Sequence, residues 1–558
     1  MRNFTFPLLT LVILSFPAAV QSQITQNWAR GLSASSASNA FIATDGSGNI
    51  YVAGNTSVPA YTLFKYNSAG TLQWSTTGPA GSSNTGSGVF AVEGVGTDNA
   101  GNVYLVSNGS SGIVVVSYNS SGTLLWYTVL NTGGRSATAR VMTVDGTGNV
   151  FIAGQVILSA ANPIWAYMCA RVSNGVQHYL STFEGSANQF SFATAIACDK
   201  SGNAYVTGTS TGAHTYITRT VFGPVIIKHD SSWDMTTVKF DSSGNTAWAN
   251  VYNAGINVGD FGFAIAVDPS SGNVYALGQS AGSSLLGDLI AYSSAGSQLW
   301  INQSANAPNN NAVAVDPSGN IITGGTFNFN VSKYSSAGSL TWSYNNSSIA
   351  IDGVGPSGYL AMALDKSGNC YVTGPNTAFT EYFTAEITTS GTLGWTTTYS
   401  SGGSAGSTAL AVYTPSSRFG MIVYPQINVT GAAANNSNFT TVQYNYHPVN
   451  QLGYSPGTMT GLDDALSTTA TERLLNYPNP FHGSTTISYT LSNDSHVTLQ
   501  VFDQTGKRVS SLFDGDQKAG TYTLPFTAAR LAPGVYHYQV VATSPLGNFI
   551  QTKQMLIL

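Results

Sequence analysis

The residues best suited to chemistry lie between Ser210 and Met235, where charged and aromatic side chains interrupt a chain that is only 8% charged. Histidine beside aspartate can act as a general base or as a metal ligand. No metal motif of tight spacing and no serine nucleophile elbow accompanies these residues. Two further interpretations therefore stay open, a ligand-binding site without catalysis and a solvated insertion. The candidates are His214, Arg219, His229, Asp230, Trp233 and Asp234.

A second set of carboxylates recurs along the chain in close copies of the segment DKSGNAYVTG, which begins at Asp199. Aspartate at the first position and glycine at the fourth match a type I turn closed by a left-handed glycine, the usual three-residue hairpin loop. A calcium loop needs several oxygen ligands, whereas each copy offers one carboxylate, so we assign these aspartates a structural role. The turn aspartates are Asp45, Asp98, Asp145, Asp199, Asp268, Asp316 and Asp365.

The turn aspartates belong to a repeat of four strand-like segments, which we name a, b, c and d in chain order. Strand a alternates small and large apolar residues, strand b follows the turn, and strand c ends at a second glycine-containing turn. Four short antiparallel strands at a period of roughly fifty residues indicate a β-propeller blade. Strand d carries one large aromatic residue, namely Trp74, Trp126, Tyr179, Trp248, Trp300, Trp342 or Trp395.

The number of blades follows from the two ends of the repeat region. Trp28 lies in a segment that resembles a strand d without its own a, b and c, whereas residues 409–446 resemble a, b and c without a strand d. Seven full repeats and this composite predict an all-β, eight-bladed propeller closed by its N-terminal strand, which leaves no free edge in the last blade. Seven blades remain the alternative if the last repeat has another structure.

This arrangement sorts the connections onto two faces. The a–b and c–d turns are tight and share one face, which we call the turn face. The b–c and d–a connections share the opposite loop face and vary in length, and variable loops on a rigid scaffold tend to carry function. The longest b–c connection is the one from Ser210 to Met235.

The termini indicate export and a second domain. Residues 1–22 have a basic start, an apolar run and a small-residue cleavage pattern, which predicts a signal peptide. No later stretch is long and apolar enough to span a membrane. We expect the propeller at residues 23–450, a flexible linker rich in glycine, serine, threonine and proline at 451–473, and a β-sandwich of about seven strands at 474–558.

Composition excludes several classes of partner. The formal charge is −5 and there is no basic cluster, so nucleic acid and anionic membranes are poor partners. Cys169, Cys198 and Cys370 are too few and too scattered for a disulfide framework, and we interpret them as small buried residues. We expect no metal, no cofactor and a monomeric protein.

The C-terminal domain resembles a known family, the type A sorting domain of the type IX secretion system of Bacteroidota. The resemblance rests on YPNPF, V-x-L-x-V-F-D-x-x-G-K-x-V, L-x-x-G-x-Y and a terminal lysine with an apolar tail. It implies a cargo that binds the secretion machinery and is secreted or held at the cell surface. The motif residues are Tyr477, Pro478, Asn479, Pro480, Phe481, Gly506, Gly534, Tyr536 and Lys553.

The repeats resemble the SBBP type of β-propeller repeat through D-x-x-G-N-x-Y-V-x-G and Y-x-x-x-G-x-x-x-W. That resemblance implies a fold but no single activity. We therefore favour a secreted or surface-attached, non-catalytic protein whose loops bind a glycan or a protein. The alternative is an extracellular polysaccharide lyase or hydrolase with its site over the propeller channel.

Overall fold

The structure is a computed structural model, and it describes the strands, the tight turns and part of the longer connections. The signal peptide and the expected linker lie outside the described residues. The described residues are 23–33, 38–55, 61–78, 91–109, 112–159, 163–185, 190–212, 214–218, 226–230, 232–255, 258–282, 285–304, 310–325, 329–346, 360–375, 380–400, 406–414, 425–433, 438–447, 475–477, 481, 483–491, 493–503, 507–528, 531–544 and 547–557.

The first half of the repeat region forms four antiparallel sheets of four strands each, which are blades 1 to 4. Blade 4 also carries a two-stranded hairpin between its second and third strands. The strands are β1 (Gln23–Ser33), β2 (Ser38–Thr44), β3 (Ile50–Asn55), β4 (Tyr61–Tyr66), β5 (Leu72–Thr77), β6 (Ala91–Thr97), β7 (Val103–Gly109), β8 (Gly112–Tyr118), β9 (Leu124–Val129), β10 (Ala137–Val144), β11 (Val150–Ser159), β12 (Ile164–Ser173), β13 (Val176–Phe183), β14 (Ser191–Cys198), β15 (Ala204–Thr211), β16 (His214–Thr218), β17 (Ile226–Asp230), β18 (Trp233–Phe240) and β19 (Thr246–Tyr252).

The second half forms blades 5 to 8, and the last sheet has the order β1-β34-β33-β32. The N-terminal strand therefore supplies strand d of blade 8, as the two incomplete ends of the repeat region predict. The strands are β20 (Gly259–Val267), β21 (Val274–Ala281), β22 (Leu285–Tyr292), β23 (Gln298–Ser304), β24 (Asn310–Val315), β25 (Ile321–Gly325), β26 (Asn330–Tyr334), β27 (Leu340–Asn345), β28 (Ala361–Leu364), β29 (Cys370–Pro375), β30 (Glu381–Ile387), β31 (Leu393–Ser400), β32 (Gly406–Tyr413), β33 (Gln426–Ala433) and β34 (Asn438–His447).

The eight blades form a closed ring around a central channel. The strands a are β2, β6, β10, β14, β20, β24, β28 and β32, and each contacts the next, with β32 contacting β2. Apolar layers fill the space between neighbouring blades. Val106 and Val115 of blade 2, for example, pack with Ile152 and Met168 of blade 3, and all four are completely buried. The eight-bladed prediction is confirmed.

The aromatic residue of each strand d packs on the next blade. Trp248 of blade 4 lies against Gly296 in the c–d turn of blade 5, and its indole Nε1 donates to the Ser294 carbonyl at 3.2 Å. Gly296 has φ +93°, and a side chain there would place its Cβ 2.6 Å from the indole. Trp28, Trp74, Trp126, Tyr179, Trp300 and Trp342 lie in the same way against the c–d glycine of the following blade.

Five strands a contain a β-bulge at the fifth residue before the turn aspartate, in the half of the strand nearer the loop face. The interruptions occur in β6, β10, β14, β20 and β24. A bulge redirects the extra side chain and increases local twist. The bulged residues are Glu93, Arg140, Thr194, Phe263 and Asn311.

The C-terminal unit is a separate β-sandwich. Contacts divide the chain into units of residues 1–452 and 453–558. One sheet has the order β35-β36-β39 and the other β38-β37-β40-β41. Val497, Val501, Tyr538 and Met555 are among the residues that fill its core. The strands are β35 (Leu475–Tyr477), β36 (Ser484–Leu491), β37 (Ser495–Phe502), β38 (Arg508–Gln517), β39 (Gly520–Thr527), β40 (Gly534–Ser544) and β41 (Gly547–Ile557).

The three cysteines are free thiols inside the propeller. Cys169 and Cys370 are buried and Cys198 is half-buried. Burial raises the pKa of the Cys169 thiol to about 12, so this sulfur is held in its unreactive protonated form. Across the described ranges, no helix has the length and apolar character required to cross a bilayer.

Candidate functional site

The blade 4 insertion is a hairpin that rises from the loop face. Strand β15 extends to Thr211 and β18 begins at Trp233, so the connection covers 212–232 and is shorter than the sequence suggests. The difference arises because both flanking strands continue beyond the repeat pattern and pair with each other as far as Thr211 and Trp233. The Gly212 N–H donates to the Ser232 carbonyl at 3.0 Å and closes the base of the hairpin.

Backbone pairing in this hairpin fixes which of the candidate residues are neighbours. His214 pairs with Asp230, and Thr215 pairs with His229. His214 and Asp230 are therefore directly opposite one another, whereas His229 is displaced by one register step. Arg219 lies outside the described residues. The hairpin thus brings one histidine and one aspartate of the predicted set together at backbone level.

Trp233 lies in a row of aromatic rings at the loop-face end of blade 4. Its ring centroid is 6.2 Å from that of Phe190 and 5.7 Å from that of Phe192, which it meets edge-on. The guanidinium carbon of Arg140, from blade 3, lies 5.5 Å from the Phe192 ring centroid. We call Arg140, Phe190, Phe192 and Trp233 the loop-face cluster. It joins a cation to three aromatic rings across two blades.

Backbone hydrogen bonds hold the aromatic part of the loop-face cluster in place. The Thr211 N–H donates to the Phe190 carbonyl at 2.8 Å, and the Phe190 N–H donates to the Thr211 hydroxyl at 3.3 Å. Thr211 is also the strand partner of Trp233. Phe190 is 45% exposed, and Phe192 and Trp233 are half-buried. The backbone that carries these rings is therefore held by hydrogen bonds, while part of each ring is accessible to solvent.

Arg140 owes its position to the bulge in β10. The register shifts between Ala139 and Val141, and the Arg140 side chain is exposed. Its Nε donates to Gln155 Oε1 at 3.4 Å. Strands a of the described blades carry only three charged residues in all, which are Glu93, Arg140 and Asp260. Arg140 is the single cation of this set.

The basic residues of four strands c make contacts within the scaffold. Lys65, Arg171 and Lys239, all from strands c, each donate to a carbonyl in the c–d turn of the following blade. Lys333 forms an ion pair with the turn aspartate Asp316 at 2.8 Å. These cations serve the scaffold, whereas Arg140 points its charge to the surface.

Glu93 lies beside Arg140 on the neighbouring strand a. Its Oε1 accepts a hydrogen bond from Asn108 Nδ2 at 2.8 Å, and Asn108 in turn exchanges two hydrogen bonds with the backbone of Ala139. Burial raises the pKa of Glu93 to about 7, although Asn108 and the Arg140 charge act in the opposite direction. This carboxyl therefore changes its charge near neutral pH.

Asp234, unlike Trp233, is completely buried. It accepts a hydrogen bond from Asn253 Nδ2 at 2.7 Å. Asp260 and Asp288 of blade 5 are also buried, and Ser280 donates to Asp288 at 2.5 Å. Burial, together with the charges of Asp288 and Asp234, raises the pKa of Asp260 to about 6. Within the described residues, no three histidine, cysteine or acidic side chains form a group suited to a metal ion.

The turn aspartates have their oxygens occupied within their own turns. Asp45 Oδ1 accepts from the N–H groups of Ser47 and Asn49, and Oδ2 accepts from the Asn49 amide and the Tyr51 hydroxyl. All seven turns are closed by a glycine N–H that donates to the aspartate carbonyl, and each of those glycines has φ between +72° and +86°. This geometry supports the role in turns that we assigned to these carboxylates.

Part of the sorting motif surrounds the C-terminal strand. Tyr477 ends β35, and Phe481 donates its N–H to the Leu556 carbonyl at 3.0 Å. The Phe481 ring is buried against Phe526 at 6.2 Å. Gly534 and Tyr536 begin β40, Lys553 is exposed on β41, and Pro478, Asn479, Pro480 and Gly506 lie outside the described residues.

Comparison with known families identifies both parts of the chain. Residues 476–551 match the secretion system C-terminal sorting domain, and residues 30–59 and 184–214 match the SBBP β-propeller repeat. The chain therefore contains SBBP propeller repeats and a type IX sorting domain. The sorting domain indicates export followed by secretion or attachment to the cell surface, and it implies contact with the secretion machinery. The predicted signal peptide is consistent with this route.

Solved structures and curated proteins add little to this identification. The chain is similar to a subtype N11 neuraminidase-like protein of A/flat-faced bat/Peru/033/2010 (H18N11), with 9% identity, a TM-score of 0.31, and coverage of 78% of this chain and 96% of that one. It is also similar to the calcium-binding protein regucalcin from Agrobacterium tumefaciens strain C58, with 11% identity, a TM-score of 0.28 and coverage of 52% and 83%. No curated protein matches it.

The SBBP-repeat propeller also has a cavity of about 510 Å³ on the turn face. Its lining includes Asp45, Asp316 and Asp365, whose carboxylates are occupied by turn hydrogen bonds. The cavity is lined by residues 44–46, 269, 315–317, 364–366 and 412–414.

Sequence reasoning found Trp233 in the loop-face cluster of this SBBP-repeat propeller and missed Arg140, Phe190 and Phe192. A usable signal was present, because strand a otherwise consists almost wholly of small and apolar residues. A charge within it, such as Glu93 or Arg140, departs from the repeat. The aromatic residues gave no such signal, since phenylalanine also occurs throughout the blade cores.

Proposed function

We propose that this secreted propeller binds a carbohydrate on its loop face and that the loop-face cluster is the binding site. The observation that carries the proposal is the row of partly exposed rings formed by Phe190, Trp233 and Phe192, which ends at the exposed Arg140. Sugar rings present apolar C–H faces and polar edges. Aromatic rings pack on the apolar faces, and a guanidinium donates hydrogen bonds to the polar edges.

The size and rigidity of the loop-face cluster favour a glycan over a protein partner. Stable protein interfaces bury roughly 1,200–2,000 Å² and centre on a broad apolar core. The cluster consists of three rings and one cation, which is closer to the scale of a few sugar units. Its backbone is fixed by the Thr211 and Phe190 hydrogen bonds, so little ordering is needed on binding.

Affinity electrophoresis of the secreted protein in polysaccharide-containing gels tests this proposal. Trp233→Ala and Phe190→Ala should abolish the retardation of the wild-type protein. Tyr127→Ala is the matched control, because Tyr127 is 56% exposed but lies on the outer strand of blade 2. Retention that is equal in all four proteins, or absent from the wild type across neutral and acidic polysaccharides, contradicts the proposal.

A lyase or hydrolase that acts on polysaccharide is the second candidate function, and Glu93 supports it. A carboxyl whose pKa is near 7 suits general acid–base catalysis at neutral pH, and Arg140 lies beside it. Product formation measured by reducing ends and by absorbance of unsaturated sugars tests this alternative. Turnover that disappears in Glu93→Gln would favour the enzyme, and bound polysaccharide that remains intact would favour the binding protein.

A further inference from the structure

We infer that the carbohydrate bound at the loop-face cluster is acidic and that Arg140 binds a carboxylate on its sugar ring. This inference rests on the proposed function and adds the class of ligand. It makes the ligand a uronic-acid polysaccharide, with the charged group at the Arg140 end of the aromatic row and neighbouring sugars toward Trp233.

The first reason is the unusual position of the Arg140 charge. Strands a line the channel, and across the described blades they carry one basic residue. Cations on strands c donate to carbonyls of the next blade or pair with a turn aspartate, as Lys239 and Lys333 do. Arg140 contacts blade 4 only through the face of its guanidinium on Phe192, and its side chain is exposed, so a ligand can reach it.

The second reason is the way in which the guanidinium is held. One side faces the Phe192 ring at 5.5 Å, and Nε reaches Gln155 at 3.4 Å. These contacts orient the planar group, and among the described residues no atom accepts a hydrogen bond from its terminal N–H donors. A guanidinium in this state matches the two oxygens of a carboxylate with two parallel hydrogen bonds. A sulfate ester can also offer two oxygens to this fork, so the experiment compares the two anions directly.

The third reason is the neighbouring carboxyl. The strands packed against β6 are β2, β3, β7 and β10, and Arg140 is the one charged residue that they contribute. An ionised Glu93 competes with a ligand carboxylate for Arg140, whereas a protonated Glu93 does not. Binding of an acidic sugar should therefore strengthen as the pH falls, and binding of a neutral sugar should not.

The experiment compares three probes, polygalacturonate, dextran sulfate and neutral dextran, bound to the full-length secreted protein at pH 6 and pH 8. The variants are Arg140→Gln, Arg140→Lys, Glu93→Gln and Trp233→Ala. Lys200→Gln removes one positive charge from an exposed residue of the turn face and serves as the control.

We expect the wild type and Lys200→Gln to prefer polygalacturonate, and Arg140→Gln to bind it about tenfold more weakly or worse. Arg140→Lys should recover only part of this loss because lysine lacks the planar fork. Glu93→Gln should remove the pH dependence.

Equal binding of dextran sulfate and polygalacturonate contradicts the carboxylate assignment. Dextran and polygalacturonate binding of equal strength, lost in Trp233→Ala and unchanged in Arg140→Gln, overturns this inference but leaves the proposed function intact. Absence of binding to all three probes counts against both.

Discussion

The carboxylate of Asp199 accepts hydrogen bonds from the N–H groups of Ser201 and Asn203, from the Asn203 amide and from the Tyr205 hydroxyl. Burial opposes ionisation of this group, but these hydrogen bonds outweigh it and hold the pKa of Asp199 below its usual value. One side chain thus shapes the turn and also ties it to a fully buried tyrosine of strand b.

Asp199→Ala should lower the free energy of unfolding by about 1–3 kcal/mol, since several donors lose a charged acceptor together. Asp241→Ala in the c–d turn of the same blade should have a smaller effect, because no buried tyrosine donates to Asp241. The folded pKa of Asp199 is lowered, so its contribution is present above the unfolded pKa and is lost as the pH falls. Urea unfolding at pH 7 and pH 3 measures the free energy of unfolding of both variants and its pH dependence. If Asp199→Ala lowers the free energy of unfolding equally at the two pH values, the predicted pH dependence is contradicted.

Glu93 should give the opposite pH dependence. Its folded pKa is about 7, above that of the unfolded chain, so the native state binds its proton more tightly. Stability should therefore fall as the pH rises from about 4.5 to about 7. Glu93→Gln should remain neutral and flatten this decline, which thermal unfolding at pH 5 and pH 8 can measure. A decline of unchanged slope in the variant contradicts the assignment.

At the scale of elements, the aromatic residue of strand d packs against the c–d turn of the next blade. Gly296→Ala should destabilise the protein for two reasons, a φ of +93° and a Cβ only 2.6 Å from Trp248. Gly134→Ala is a matched control, because Gly134 has φ +76° and no atom within 4 Å of its Cβ position. Overpacking adds about 1–3 kcal/mol to the backbone strain that both variants share. Equal unfolding midpoints in urea would contradict the packing role of Trp248.

The strands were predictable because each carries a local signal. The turn aspartate, the left-handed glycine and the strand d tryptophan recur at fixed spacing, and Trp28 revealed the strand that completes blade 8. The loop-face cluster was not predictable in the same way. Arg140 comes from a bulge in blade 3 and Trp233 from a lengthened strand in blade 4, so their proximity depends on how two blades pack.

At the scale of the whole molecule, closure of the ring depends on one strand. β1 pairs with β34 from Gln23 to Ser33, and the Trp28 ring packs on Gly70 and Tyr66 of blade 1. Removal of residues 23–33 from the mature chain should expose the edge of β34, lower the unfolding temperature and promote aggregation. Trp28→Ala keeps the strand and should show a milder loss without aggregation. Light scattering during thermal unfolding distinguishes the deletion from Trp28→Ala. An unaltered unfolding transition after the deletion contradicts the role of β1 in closing the ring.

Hydrogen exchange of the full-length protein with and without oligogalacturonate tests the central claim most directly, because it shows which face the ligand covers. Binding at the loop-face cluster predicts slower exchange in the peptides that contain Arg140, Phe190 and Trp233. The turn peptides that contain Asp45, Asp316 and Asp365 should be unchanged. Protection that appears on these turn peptides, or protection in neither set at saturating ligand, would contradict a binding site on the loop face.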